Sequence, residues 1–477
     1  MTALAVIGFA AGVSAAELWI GAAEADITPD RPVALAGQFN VRVAATNNIL
    51  SRCKANVLAV ESRESGQAAD GVILVSCDVC YLPRDMQSRF RTYIAGRLKG
   101  FDTDKLMLAA THTHTAPLLG QGWYDDLGGA MPVDEYVAFF FDRLAEAVVK
   151  AWEGRKPGTV AWGLGHAVTS QNRRAVYADG SAIMYGKTDR PDFRGLEGSE
   201  DHAVDILFFL DAKRKPVATA ITLACPAQVE EGLSRIHADY WNDVREELRR
   251  RYGETYVVLG FCAPSGDLVP RAILRKSAEA RMEQLRKLNR RQEVARRIVR
   301  AYEETWDVVR NDIRADVAFA HRVERFDVPG RKITDAEYET AKKAYAPLAA
   351  KEKLVGGDAA HKNWFKKTIA RYEAQKSGDP LYTIELHTLR LGDVTIATNP
   401  FELFLDYAMQ IQGRSPAGQT VLIQLASPAD GASYLPSARA AKGGGYSAVP
   451  ESSLVGPEGG QILVERTLAA IKELFGK

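Results

Sequence analysis

The sequence predicts an α/β protein, with mixed sheets flanked by helices and a helical insertion or cap. Three observations lead there: short apolar strands alternate with amphipathic helices, polar residues gather where the strands end, and a charged, helix-patterned region occupies about 275–378. Residues 57–61 and 72–76 are β-rich apolar runs, 84–98 carries a helical repeat, and 106–110 returns to a strand before the amphipathic helix 133–152. Further strand-then-helix pairs are expected at 218–224 with 240–251 and at 394–398 with 401–412, and the strand 256–260 runs into a loop. In the charged region, Met282, Leu285, Leu288, Val294, Ile298 and Tyr302 fall at helical spacing, so 275–312 is expected as one long amphipathic helix with a solvated basic face. A second helical stretch, 335–375, is interrupted at Val355-Gly356-Gly357-Asp358.

Composition narrows the class. Of 477 residues, 46% are hydrophobic and 25% charged, which suits a folded globular chain, and large α/β enzymes of this length fold as one unit, here 17–477. Lys and Arg number 61 against 60 Asp and Glu, so no net field favours nucleic acid or an anionic membrane. The first 16 residues carry no charge, and Val13-Ser14-Ala15-Ala16 has the small-residue pattern of a cleavage site. This resembles a secretory signal peptide that lacks its positive n-region, and it leads to the expectation of a periplasmic or secreted protein. No other stretch has the roughly 18 apolar residues of a membrane span, so no stable membrane insertion is expected. Cys53, Cys77, Cys80, Cys225 and Cys262 are too scattered for a disulfide scaffold, although one bridge remains open after export.

The most informative motif is Thr111-His112-Thr113-His114-Thr115, at the end of an apolar run. If the strand continues through it, alternation puts both imidazoles on one side, an arrangement that suits zinc and needs one or two more ligands from elsewhere. The alternative is a pair of histidines hydrogen-bonded among threonines. Other strand-end or loop clusters are Ser76-Cys77-Asp78, Gln171-Asn172-Arg173-Arg174, His237-Ala238-Asp239-Tyr240-Trp241 and Phe261-Cys262-Ala263-Pro264-Ser265-Gly266-Asp267. Each has a structural reading as well: a cap for Asp78 and Asp239, and a surface turn for the arginines.

In order and spacing these clusters resemble the catalytic domain of the neutral/alkaline, non-lysosomal ceramidases, in its stand-alone bacterial branch. The matching pieces also include Ala23-Glu24-Ala25-Asp26-Ile27-Thr28-Pro29, Asn399-Pro400-Phe401-Glu402 and Ser433-Tyr434-Leu435-Pro436. The resemblance implies a zinc-dependent hydrolase that in ceramidases cleaves an amide. It implies His112, Glu402 and Tyr434 as retained ligands, with His114 beside the metal water or substrate; by position alone Glu402 is expected just after the strand 394–398, in the first turn of the next helix. Two departures stand out. The family's second zinc histidine falls in Ala224-Cys225-Pro226-Ala227-Gln228, which has none, and His237 is the replacement to test; the family's catalytic serine falls near Ala263, two positions from Ser265. Because the tyrosine motif lies close to residue 477, no further C-terminal β-sandwich of the kind ceramidases carry is expected.

The expected chemistry is a cation that acidifies water for attack on a carbonyl, with His114 or Asp239 moving the proton, Arg173 steadying the oxyanion, and Asp78 also among the catalytic groups. Asn172, Arg174 and Trp241 are expected at the substrate, a small molecule, lipid amide or oligosaccharide. A rival reading is a carbohydrate-active enzyme without zinc, using two of Asp78, Asp239, Asp267 and Glu402 and stacking sugars on Trp123, Tyr124, Tyr240, Trp241 and Tyr446. A binding protein that kept the fold and lost catalysis is the third class.

Overall fold

A computed structural model describes residues 15–124, 126–427 and 433–476. Most of the signal-like stretch lies outside these residues; its last two alanines, Ala15 and Ala16, open the first strand.

The architecture follows from three strand–helix–strand units, each with a parallel strand pair, set into an otherwise antiparallel sheet. Gln67–Cys77 lies parallel to Leu106–Ala110 across the helix Met86–Ile94, Pro216–Leu223 to Val257–Cys262 across Tyr240–Tyr252, and Val394–Thr398 to Gln419–Ile423 across Leu405–Arg414. Antiparallel strands join them, in the order Val257–Cys262, Pro216–Leu223, Ala203–Asp211, Lys156–His166, Ala15–Asp26, Asp316–Pro329, Leu381–Leu391, Val394–Thr398, Gln419–Ile423. Ala15–Asp26 is the junction: it pairs with Lys54–Glu64 along ten residues, and on its other edge with Asp316–Pro329 and then Lys156–His166.

Strand residues alternate between two buried environments. Leu58, Val60, Val72 and Leu74 meet Leu207, Phe209, Leu259, Phe261, Ile396 and Val421 in a core made of strands, while Val57, Ala59, Ile73 and Val75 face the helix Val133–Glu153. Ile206, Phe208 and Leu210 pack on the other side under Tyr240–Tyr252 and Arg290–Val309. Strand faces thus meet inside, with helices outside, because the central strands Lys54–Glu64, Gln67–Cys77 and Ala203–Asp211 bury apolar residues on both faces.

The charged region departs from the single long helix expected. It is broken into Lys276–Arg286 and Arg290–Val309, because Lys287 takes a left-handed turn (φ 57°) and Asn289 with Gln292 forms a capping box that starts a new helix. Asp316–Pro329 then interrupts the region as a core strand, and only the hairpin Asp335–Ala349 and Asp358–Gln375 lies over the body as a cap. All five cysteines are buried and unbridged, and no helix among the described residues is long and apolar enough to cross a membrane.

One buried acid in this frame titrates abnormally. Burial lifts Asp205 to about 7, with Gln419 Nε2 donating to Oδ1 at 2.7 Å. Its folded pKa lies above the unfolded one, so the penalty is absent below about 4 and grows as pH rises through about 7. Asp205→Asn is therefore expected to gain about 3 kcal/mol at pH 8 and almost nothing at pH 4, as read from urea unfolding at the two pH values.

Candidate functional site

The carboxyl ends of the three parallel pairs converge, and their loops are stitched together. Ala110 N donates to Leu425 O, Ser427 N to Leu108 O, Gln424 N to Cys262 O, Ala263 N to Leu223 O and Thr111 N to Cys77 O, all at 2.9–3.1 Å. An open α/β sheet leaves its ligand crevice at this edge. Gln424, buried, holds two of the loops at once: its Oε1 accepts from Ser265 N and Leu403 N, and its Nε2 donates to Ser265 Oγ. Gly266 lets these loops touch, since a Cβ there would stand 2.3 Å from Glu402 O.

The strand does not continue through the His-x-His motif. It stops at Ala110, and His112 turns into the left-handed region (φ 67°), so the two rings meet by a loop turn, perpendicular, with centroids 4.8 Å apart. Thr113 and Thr115 Oγ1 both donate to His237 O, at 2.9 and 2.7 Å, and clamp this loop. His112 Nδ1 lies 2.7 Å from Cys80 O. A carbonyl only accepts, so Nδ1 carries the hydrogen, and Nε2 presents a lone pair or a second proton. That Nε2 faces Glu402 Oε2 at 3.2 Å and His114 Nε2 at 3.3 Å. Burial opposes a charge on His112, but the Glu402 carboxylate beside it raises its pKa well above the usual imidazole value.

Glu402 is not in a helical turn as expected. Glu402 and Leu403 form a short parallel pair with Tyr434 and Leu435, in which Glu402 and Tyr434 are direct partners. The helix begins only at Leu405, whose amide is capped by Asp267 Oδ1. Burial opposes ionisation of Glu402, but His112, Arg173 and a hydrogen bond from Tyr434 hold its carboxyl below the usual range. Tyr434 is raised by burial and by Glu402, so it stays a phenol. Arg173, buried, completes the set: its guanidinium lies 5.4 Å from the Tyr434 ring centroid and donates to Gly266 O at 2.7 Å. His114 is neutral, its pKa lowered well below the usual value by burial, His112 and Arg42; Gln228 Nε2 stands 2.7 Å from its Nε2, and Glu231 Oε2 3.9 Å from its Nδ1. Cys80, His112 and His114 bring ligating atoms within 4.8 Å of one another, the one such group among the described residues.

The remaining expected site residues sit elsewhere, for clear reasons. His237 does not join the histidine pair: its ring lies by Arg235 and Arg291, and burial and those guanidiniums push it down to about 4, a field that also repels a metal cation. Asp78, fully buried, is spent on a two-pronged pair with Arg245 at 2.6 and 2.9 Å. Asp239 caps Tyr240–Tyr252 and accepts from Glu230 N, and burial lifts it to about 7. Asn172 bridges Asp267 Oδ2 and the Arg174 amide, and Trp241 is packed beneath Gly260 in the core. Ser265 Oγ is engaged by Gln424 and by Cys262 Sγ at 3.2 Å.

Arg174 does not face a substrate either. Fully buried, it forks onto Glu197 and donates to the carbonyls of Tyr446 and Gly444 at 2.8 and 2.6 Å. Tyr446 in turn stacks edge-on against Tyr434, with centroids 5.5 Å apart. Arg174→Lys keeps the charge but loses the fork, and is expected to cost about 2 kcal/mol in thermal unfolding and to loosen Tyr446.

From Tyr446 a series of half-buried rings continues outward. Trp364 lies 6.0 Å from Tyr446, Phe39 lies 5.6 Å from Trp364 and 5.9 Å from Trp123, and His361 stacks on Phe39 at 4.2 Å. The helical hairpin therefore contributes a wall to the approach. Trp123 and Tyr446 are among the aromatics the sequence offers for stacking, whereas Phe39, His361, Trp364, Gln424 and Glu231 escape the sequence reading; Gln424 alone has a usable signal, as the residue that follows a strand.

No protein-family model and no curated protein matches the chain. Among solved structures it is similar to a ceramidase complexed with C2, at 14% identity and a TM-score of 0.66, over 96% of this chain and 75% of that one. It is also similar to the neutral ceramidase from Pseudomonas aeruginosa, at 16% identity and a TM-score of 0.67, with the same coverage. The fold is thus the one these structures share, as the motifs implied.

Proposed function

We propose that this protein is a metal-dependent hydrolase that cleaves an amide or related acyl bond in a small, lipid-like substrate, with zinc as its cation. The observation that carries the reading is His112. Its Nδ1 hydrogen is committed to Cys80 O, and its Nε2 faces the ionised Glu402, so the site asks for a positive charge between them. A ligating histidine ordinarily donates its other nitrogen to a carbonyl in this way, and the 3.2 Å separation is close to the roughly 3.3 Å between two ligand atoms on a tetrahedral zinc. His112, Glu402 and Tyr434 would hold the cation; when bound it acidifies water and polarises the scissile carbonyl.

The chain's own groups supply the rest. Arg173, whose guanidinium lies 5.4 Å from the Tyr434 ring centroid, would steady the negative charge that develops on the carbonyl oxygen. The shared fold of the ceramidase structures supports a lipid amide as the substrate class. The glycosidase reading lacks a working carboxylate pair: Asp78, Asp239 and Asp267 are bound to Arg245, to backbone amides and to Asn172, and Tyr240 and Trp241 are core residues.

The test is metal content and fatty-acid release from an N-acyl sphingoid amide by the purified chain. About one zinc per chain with amide cleavage, both lost in His112→Ala, is the expected result. Release of reducing sugar from oligosaccharides without amide cleavage would overturn the proposal, as would a metal-free chain that hydrolyses neither.

A further inference from the structure

The pair of rings at His112 and His114 has a third polar neighbour that the reading above leaves unused. Gln228 is 2% exposed and follows the strand Pro216–Leu223, one of the parallel strands whose carboxyl ends form the site. Its Nε2 lies 2.7 Å from His114 Nε2, while its Oε1 has no hydrogen-bond partner. A buried amide oxygen left bare costs about 1–3 kcal/mol, so it points to something absent from the protein alone. His114 cannot supply the missing donor while its Nε2 accepts from the amide, and its Nδ1 is itself unpartnered beside Glu231.

We infer that the Gln228 carboxamide oxygen is an oxygen donor to the cation held by His112 and Glu402. His114 acts on it as a positioning residue, accepting the amide N–H and so fixing which end of the carboxamide is free. The inference rests on the metal-hydrolase reading. An amide oxygen is a harder, neutral and weaker donor than imidazole, so the site should hold zinc and cobalt less tightly than it would with a histidine at 228.

The experiment uses the full-length chain, stripped with chelator and titrated with Co(II) alone, following the visible d–d bands and calorimetry, with a melting curve for each variant. A ligand at 228 gives an ordered series: Gln228→Leu binds Co(II) at least tenfold more weakly than the parent, and Gln228→His at least tenfold more tightly with shifted bands. Gln228→Glu provides a second oxygen ligand should the histidine variant fail to fold, and is also expected to bind more tightly than Leu. A purely structural role predicts that Leu, His and Glu all weaken binding alike, and that result overturns the inference, as does an unchanged affinity in Gln228→Leu. A sulfur-to-cobalt charge-transfer band that vanishes in Cys80→Ser, with no response at 228, would move the assignment to the thiol. Failure of the underlying reading looks different: the parent then binds no Co(II), and His112→Ala changes nothing.

Discussion

Arg245→Ala is expected to destabilise the folded chain by about 3–5 kcal/mol. Asp78 is fully buried, and Arg245 reaches both of its oxygens. The same carboxylate accepts from Lys54 N at 2.8 Å and lies 3.4 Å from Thr111 Oγ1. Removing the guanidinium leaves a charge in the protein interior with only neutral donors. Removing both charges, as in Asp78→Asn with Arg245→Met, should recover part of the loss, because no ion then remains to desolvate. The check is the urea midpoint of the two variants against the parent. Turnover per folded molecule should change far less than stability, since the pair stands behind the His-x-His loop and does not touch the reacting groups.

Glu402→Gln is expected to show the reverse pattern, with turnover down about a thousandfold and a modest change in melting temperature. The carboxylate is the one negative charge facing His112 Nε2, and Arg173 and Tyr434 are turned to it as well. A glutamine fits the space and can still accept from Tyr434, but it offers His112 a neutral partner. A cation loses its charged ligand; a mechanism that used Glu402 as an acid or base would lose that group too. The effect is therefore large on either chemistry, and only metal analysis of the variant separates them. Bound zinc should fall below one per chain in the metal reading and stay unchanged in the other.

These two variants also mark what the sequence could and could not convey. The strands Leu106–Ala110 and Val394–Thr398 are legible to the residue, because short apolar runs bounded by polar turns have few other readings, and the second is β-branched as well. The rule that polar residues at strand ends form the site found Asp78, His112 and Arg173 alike, yet could not distinguish them: Asp78 is neutralised by a guanidinium from a helix 167 residues away. Glu402 was placed in a helix because its short pairing depends on Tyr434, whose position no local pattern reveals. His237 drew notice as a histidine, whereas its backbone carbonyl, invisible in sequence, is the part that matters to the site. The aromatic wall joins residues 39, 123, 361, 364 and 446, none close in sequence except the pair on one helix.

The junction strand Ala15–Asp26 has a consequence for how the chain is made. Its edge at Ala15–Glu17 is completed only by Asp316–Ala318, far later in the chain. At about 5–20 residues per second, roughly 300 residues of synthesis mean roughly 15–60 s between the two segments. Throughout that interval the short edge Ala15–Glu17 offers unpaired N–H and C=O groups, which can pair with another chain. The last step in closing the sheet is therefore a long-range one, the docking of Asp316–Ala318 on that edge.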